Sequence, residues 1–333
     1  MAPNVDDLDE GIPLPLKCNM ALRKVLWLIL LALATLCQAH PGNGILVLPD
    51  GSVITGDAVG SKIWRFKKGA LPEVVIPHLH CHWVTLGLDG KVYAEEVSEQ
   101  AGVWRTTIHR VDLGRKRATK VWTATPEAGA FLVDAQSNLI AVKDGVLRAF
   151  PTNGPDRPFR GSGRPTPGQP ALGMVKAMAW GPAGEIYLLT YIDVEEPSSR
   201  PGIKNKIRRP NLWKVGTNGD MKVVKTFSGT ATERMYAGPN GEVQPWGLAI
   251  NGISRPILAN PSQGVVYRLE PDDWMKVLYR TRDSWQPIGV AVQSDRVYML
   301  ESKTEGISNF GPRVTVLEAN GKSWVMGLVR GKR

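Results

Sequence analysis

Residues 83–96 read WVTLGLDGKVYAEE, in which an apolar run, an Asp-Gly turn and a second apolar run follow one another. An Asp-Gly pair between two runs rich in β-branched and aromatic residues is a strong local signal for a β-hairpin. The same order of features returns in GILVLPDGSVITG from Gly44 and in AMAWGPAGEIYLLT from Ala177. The hairpin is therefore one copy of a repeated unit.

The repeat has six copies, and its second strands begin about 49 residues apart on average. Each hairpin is followed by a third strand with an aromatic or basic signature, such as KIWRF from Lys62 or NLWKV from Asn211, and then by a less regular fourth strand. One such unit is too small to bury its own faces, so neighbouring units must stack and the ring must close. The sequence predicts an all-β fold, a six-bladed β-propeller of four-stranded antiparallel blades.

The repeats resemble a known group of propellers. PWGLAI from Pro245, PIGVAV from Pro287, the Asp-Gly turns and the VY strands after them are similar to NHL-type repeats and to the six-bladed TolB-like group, over most of residues 42–329. That group includes the senescence marker protein and gluconolactonase family. The resemblance implies that the connections from fourth to first strand and from second to third strand share one binding face.

The resemblance also implies a metal site, from which this sequence departs. The family opens its first blade with a glutamate ligand and adds an asparagine and an aspartate from later blades. Here Asn43 stands at the opening position, Trp246 at a later entrance, and Asn260 where the fifth blade would offer an acid.

The N-terminal part reads as a targeting segment. Residues 20–40, MALRKVLWLILLALATLCQAH, contain two basic residues, an apolar run and a small-x-small end, which is typical of a secretory signal peptide cleaved after Ala39. The apolar run is too short for a stable transmembrane span, although an uncleaved signal would act as an anchor. We predict an N-terminal extension and signal peptide over residues 1–39, with Met20 as the true start, and one propeller domain over 40–333. We also predict export to a bacterial periplasm or the extracellular medium, with Cys81 as the single remaining cysteine.

The composition is that of a globular protein, with 43% hydrophobic and 22% charged residues in a chain of 333. The formal net charge of +10 favours anionic ligands or surfaces. The basic run KNKIRR from Lys204 has no aromatic residues within it and follows an export signal, which argues against nucleic acid. An envelope protein partner is an open alternative for this run.

Three of the five histidines lie in HLHCH, residues 78–82. In an extended strand His78, His80 and His82 would share one face, with neighbours about 6.6 Å apart. The cluster is open to three interpretations: side chains that line the channel, a divalent metal site of His80, His82 and Glu95 holding zinc, copper or calcium, and metal-free binding or acid–base work by His82.

Aligning the first strands places Asn43, His82, Lys176 and Trp246 around the entrance of the central channel, with Glu301 approaching from the end of a second strand. We predict a ligand site there, bordered by long loops that begin at Glu95, Tyr191 and Glu301. No complete catalytic constellation is present. The leading interpretation is an exported propeller that binds a small molecule, peptide or glycan without catalysis, and the alternative is a metal-dependent hydrolase, lactonase or lyase.

Overall fold

The computed structural model describes residues 42–100, 103–124, 129–160, 165, 170, 172–197, 204–228, 230–231, 244–305 and 308–329. The chain divides into two units, Met1–Ala39 and His40–Arg333, and all of the described residues belong to the second unit. The predicted signal peptide lies outside the described residues and stays a prediction. None of the helices in the described ranges is long and apolar enough to cross a membrane.

The described residues form six antiparallel sheets in chain order, each with a path of four strands, as predicted. Blades 1 to 3 consist of β1 (Ile45–Val47), β2 (Val53–Asp57), β3 (Lys62–Phe66), β4 (Glu73–Pro77); β5 (Val84–Leu86), β6 (Val92–Gln100), β7 (Val103–Asp112), β8 (Arg117–Ala124); and β9 (Leu132–Val133), β10 (Leu139–Lys143), β11 (Val146–Phe150), β12 (Arg157–Pro158). Blade 4 consists of β13 (Met174–Trp180), β14 (Ile186–Pro197), β15 (Lys204–Val215) and β16 (Met221–Thr226), with the short β17 (Thr230–Ala231) also paired to β15. Blades 5 and 6 consist of β18 (Gly247–Ile250), β19 (Pro256–Asn260), a 3-10 helix (Pro261–Gln263), β20 (Val265–Leu269), β21 (Met275–Arg280); and β22 (Gln286–Gln293), β23 (Arg296–Glu305), β24 (Ser308–Leu317), β25 (Ser323–Leu328).

The first strands of successive blades contact one another around a central axis, and β22 contacts β1 to close the ring. Within the described ranges every blade takes its four strands from one continuous stretch, and no strand there is exchanged where the ring closes. Closure therefore depends on side chains of blades 1 and 6. A buried group, here called the closure cluster, joins them and includes Phe66, Ile45, Ile288, Leu300 and Val314.

The Asp-Gly turn of residues 89–90 also fastens one blade to the next. Gly90 has φ +77°, a backbone conformation that residues with a Cβ adopt reluctantly. The Asp89 carboxylate accepts hydrogen bonds from Tyr93 Oη at 2.8 Å and, across to blade 3, from Ser137 Oγ at 2.7 Å. Burial opposes ionisation, but these bonds and one from Lys91 bring the pKa of Asp89 down to about 2. The turn is thus both a hairpin end and an inter-blade tie.

Blades 2, 4 and 6 have arms where the sequence predicted rim loops. The second strands of blades 1, 3 and 5 have five residues, whereas β6, β14 and β23 have 9, 12 and 10 and continue past the ring on the side where the first strands begin. The prediction of loops was therefore wrong for the described parts of these segments. In blade 4 the arm is a paired ribbon because Asp193 faces Arg208 across the two strands, and opposite charges stabilise such a pair.

Candidate ligand site at the channel mouth

Asn43 spans the top of the central channel. It precedes β1 of blade 1, and its amide nitrogen donates to the backbone oxygens of Lys176 at 2.9 Å and Trp246 at 3.0 Å, in blades 4 and 5. Because blade 4 lies opposite blade 1 in a ring of six, the side chain crosses the axis. Asn43 is only 8% exposed. We call the region around Asn43, Lys176, Trp246 and Glu95 the channel mouth.

The backbone on either side of Asn43 has no room to shift. A Cβ at Gly42 would lie 2.6 Å from the Cys81 oxygen, and one at Gly44 would lie 2.3 Å from the Val84 nitrogen. Only glycine permits the backbone to approach blade 2 so closely. The Gly44 nitrogen also donates to the His82 oxygen at 3.0 Å. The sequence Gly-Asn-Gly is therefore what holds the amide at the axis.

A cation lies at the mouth on an aromatic face. The ammonium of Lys176 is 4.4 Å from the centroid of the buried Trp246 ring, which is within the range of a cation–π contact. Lys176 itself is half-buried. Burial lowers the pKa of Lys176 to about 8, although the nearby Glu95 raises it. The lysine thus exchanges its proton near physiological pH instead of far above it.

Glu95 is the acidic counterpart, held by blade 2 and only 4% exposed. Its backbone nitrogen donates to the Trp83 oxygen at 2.8 Å. Burial raises the pKa of the Glu95 carboxyl to about 8, with Lys176 acting in the opposite direction. Below that pH the carboxyl is neutral and the lysine is charged, so the mouth carries a net positive charge. Groups whose pKa values are shifted this far from their ordinary values cluster at functional sites.

The arm of blade 4 adds two residues, Tyr191 and Arg208, that the sequence did not assign to the ligand site. Tyr191 Oη donates to the Pro245 oxygen at 2.6 Å and so fixes the residue that precedes Trp246. Arg208 makes a two-pronged ion pair with Asp193, with Nε–Oδ1 at 2.7 Å and Nη2–Oδ2 at 3.1 Å. The charge of Arg208 contributes to the lowered pKa of Lys176. Both residues lie in the segment predicted as a loop, and their only signal was its length and charge.

The histidine cluster forms a pair and not a row of three. The Nε2 atoms of His80 and His82 are 2.8 Å apart, and the ring centroids are 4.7 Å apart. Cys81 between them is fully buried, as the alternation predicted, and burial raises the pKa of its thiol. His78 is exposed and has φ +59°, which ends the extended backbone after β4. The expectation that all three histidines continue one strand was therefore wrong.

The donor set for a metal is incomplete in the part of the chain that the structure describes. There, no three His, Cys, Asp or Glu side chains are placed to hold an ion together. The predicted metal site of His80, His82 and Glu95 stays a prediction. Of these residues, His80 and His82 have ring nitrogens that lie close together. The metal set implied by the family resemblance does not fit either, because the Asn43 amide is bonded to two carbonyls and Asn260 is bonded to Ser262 and Gln263.

Glu301 lies within blade 6. It is fully buried, and its Oε2 accepts hydrogen bonds from Arg313 Nε at 2.8 Å and from the Thr315 hydroxyl. The Arg313 guanidinium stacks on Trp285 at 3.9 Å from the ring centroid. Glu301 is thus engaged within its own blade, whereas Asn43, Lys176 and Trp246 come together at the axis.

The histidine pair predicts a loss of stability in acid. Burial lowers the pKa of His80, although a backbone contact with Ala58 and the charges of Asp57 and Glu96 oppose this. The unfolded chain therefore binds more protons between the lowered folded pKa and the ordinary value of about 6.5, and stability falls as pH falls through that window. Between pH 7.5 and 5.5 the free energy of unfolding, measured with urea, should fall less for His80→Gln than for the parent chain. Equal losses would contradict this, and the exposed His78→Gln is the matched control.

No family model and no curated protein matches the sequence. Solved structures do match, and over most of their length. A gluconolactonase from Xanthomonas campestris has 12% identity and a TM-score of 0.50, with 82% of this chain and 85% of that chain covered. Virginiamycin B lyase from Staphylococcus aureus has 13% identity and a TM-score of 0.46, with 87% and 85% covered. A PQQ-bound aldose sugar dehydrogenase from Streptomyces coelicolor has 12% identity and a TM-score of 0.49, with 81% and 93% covered.

At these identities the likeness is one of fold, and folds of this kind carry unrelated functions. The chain is a six-bladed β-propeller whose fold distantly resembles that of the gluconolactonase group.

Proposed function

We propose that this propeller binds a small anionic molecule at the channel mouth and does not transform it. The observation that carries the proposal is the Lys176 ammonium, held 4.4 Å from the centroid of the Trp246 ring at the channel mouth. Of the ligand classes that the sequence suggested, small molecule, peptide or glycan, a compact acid fits best. The first strands contact one another around the axis, which favours a small ligand there. At pH 7 Lys176 is charged and Glu95 is neutral, which favours an anion.

The chemistry of the mouth matches a carboxylate or phosphate group. An ammonium donates charge-assisted hydrogen bonds to such groups, and these are about twice as strong as neutral ones. Glu95 is uncharged below about pH 8 and does not repel an anion there. With its amide hydrogens directed to two backbone carbonyls, Asn43 has its side-chain oxygen left as an acceptor. A ligand with both an acid group and a hydroxyl would use both.

Ligand-observed NMR with butanoate and inorganic phosphate at pH 7 tests the proposal. We expect saturable binding of at least one of these anions, and no binding of the neutral analogue butanamide. Binding of all three with equal strength, or of none, would contradict an anion site.

A second candidate is a hydrolase, lactonase or lyase, and one observation favours it. Glu95 has a pKa of about 8 in a buried site, as general acids and bases often do. A panel of lactones and esters separates the two functions. Turnover that disappears with His82→Ala would replace the binding proposal. Elemental analysis of the parent chain and of a His80→Ala/His82→Ala variant tests the divalent metal.

Export is proposed on the segment of residues 20–40 and has its own test. N-terminal sequencing of protein recovered from the envelope or medium should begin at His40, and retention of Met20 in the cytoplasm would contradict export. An envelope protein partner is proposed only on the basic run of residues 204–209. Co-purification of a partner that survives high salt would support it, since high salt weakens general charge attraction.

A further inference from the structure

We infer that Asn43 is the floor of the anion site and limits the ligand to a short chain, because its side chain lies across the entrance of the central channel beneath the mouth. The inference rests on the proposed anion site and adds which acids fit it. Asn43 would then determine which chain lengths the site accepts.

The channel beneath Asn43 is large enough to hold part of a ligand. Its volume is about 200 Å³, and the six first strands line it. A 150 Å³ apolar cavity in another protein holds benzene, so this channel has space for about six carbon atoms. It extends from Asn43 to Trp180, the last residue of β13. The residues that line it include Val47, Leu86, Leu132, Met178, Leu248 and Val290.

The Asn43 side chain is fixed across the entrance of this channel. It is held at 2.9 and 3.0 Å by carbonyls of two blades on the far side of the axis. Its backbone is held on the near side by the close approach of Gly42 and Gly44 to blade 2. A side chain held at both ends resists displacement by an alkyl tail, which offers no hydrogen bonds in return. An acid bound at Lys176 therefore keeps its whole length above the amide.

A series of straight-chain acids tests the inference on the parent protein itself. Acetate, butanoate, hexanoate and octanoate differ only in apolar length, and each buried methylene would raise affinity about fourfold. For the parent chain we expect the longer acids to bind no more than about threefold more tightly than butanoate. A steep rise from butanoate to octanoate would overturn the role of Asn43.

The variant Asn43→Ala opens the floor and should create the dependence on length. Affinity is then expected to increase about fourfold per methylene until about six carbons fill the channel. Ala291 also lines the channel, so adding Ala291→Phe should fill the space and remove the increase. Asn320→Ala, in an exposed turn of blade 6, is the matched control and should behave as the parent.

The outcomes separate this inference from the proposed function. If the parent binds none of the four acids, the floor is wrong, and the anion site is wrong as well when inorganic phosphate also fails to bind. If the parent binds them but folded Asn43→Ala shows no gain with length, only the floor is wrong. Should Asn43→Ala fail to fold, the series on the parent chain still decides, because a channel open in the parent would already show the gain.

Discussion

Replacing Lys176 with methionine is expected to weaken carboxylate binding at pH 7 by roughly 10- to 100-fold. A hydrogen bond to a charged group contributes about 1.5–3 kcal/mol, which corresponds to that range. Methionine has a similar length and packs against an aromatic ring, so contact with Trp246 is retained while the charge is lost. Titration with butanoate, followed by ligand-observed NMR, measures the change.

Lys222→Met is the matched control for charge, because Lys222 is an exposed lysine in the outer strand β16. It lowers the net charge by the same amount as Lys176→Met. We expect less than a twofold effect on butanoate affinity, because salt largely screens an exposed charge outside the mouth. If both variants bind like the parent, the cation of the mouth does not hold the ligand. If both weaken binding equally, the attraction comes from overall charge and not from a site.

Phe66→Ala should destabilise the propeller by about 3–5 kcal/mol, the usual range for removing a buried aromatic ring. Phe66 is 1% exposed and belongs to the closure cluster between blades 1 and 6. It lies directly against Gly327 of β25, where a Cβ would be 2.7 Å from the Phe66 Cδ1. No described strand is shared across this junction. The propeller therefore depends there on side-chain contacts such as those of Phe66.

Urea unfolding measures this loss, and Leu71→Ala is the control. Leu71 is 90% exposed and near the same blade edge, so its truncation should change stability by less than about 0.5 kcal/mol. A loss below about 1 kcal/mol for Phe66→Ala would mean that closure does not depend on the cluster.

The sequence predicted the six blades because their signals are local. Turn residues such as Asp89 and Gly90, together with the apolar runs beside them, mark the hairpins without any knowledge of the rest of the chain. The arms of blades 2, 4 and 6 were missed because their charged residues look like loop sequence. Only across the ribbon does Asp193 meet Arg208 and make those charges compatible with a strand.

The site was less accessible to prediction than the fold. The repeat register placed Asn43, Lys176 and Trp246 at equivalent entrances, and the structure brings them together. It could not show that Asn43 crosses the axis, because this depends on the narrow radius of the ring. Glu95 was predicted beside histidines, whereas its interaction with Lys176 joins blades 2 and 4, which are far apart in the sequence.

The most direct test of the anion site at Lys176 is the affinity of the parent chain for butanoate at pH 7 and at pH 9. Lys176 and Glu95 both have a pKa of about 8, so raising the pH removes the cation and creates a carboxylate at the mouth. We expect the affinity at pH 9 to be at least about tenfold weaker, with most of the change near pH 8, and Lys176→Met to show a much smaller change. Equal affinity at the two pH values, with the fold intact, would contradict it.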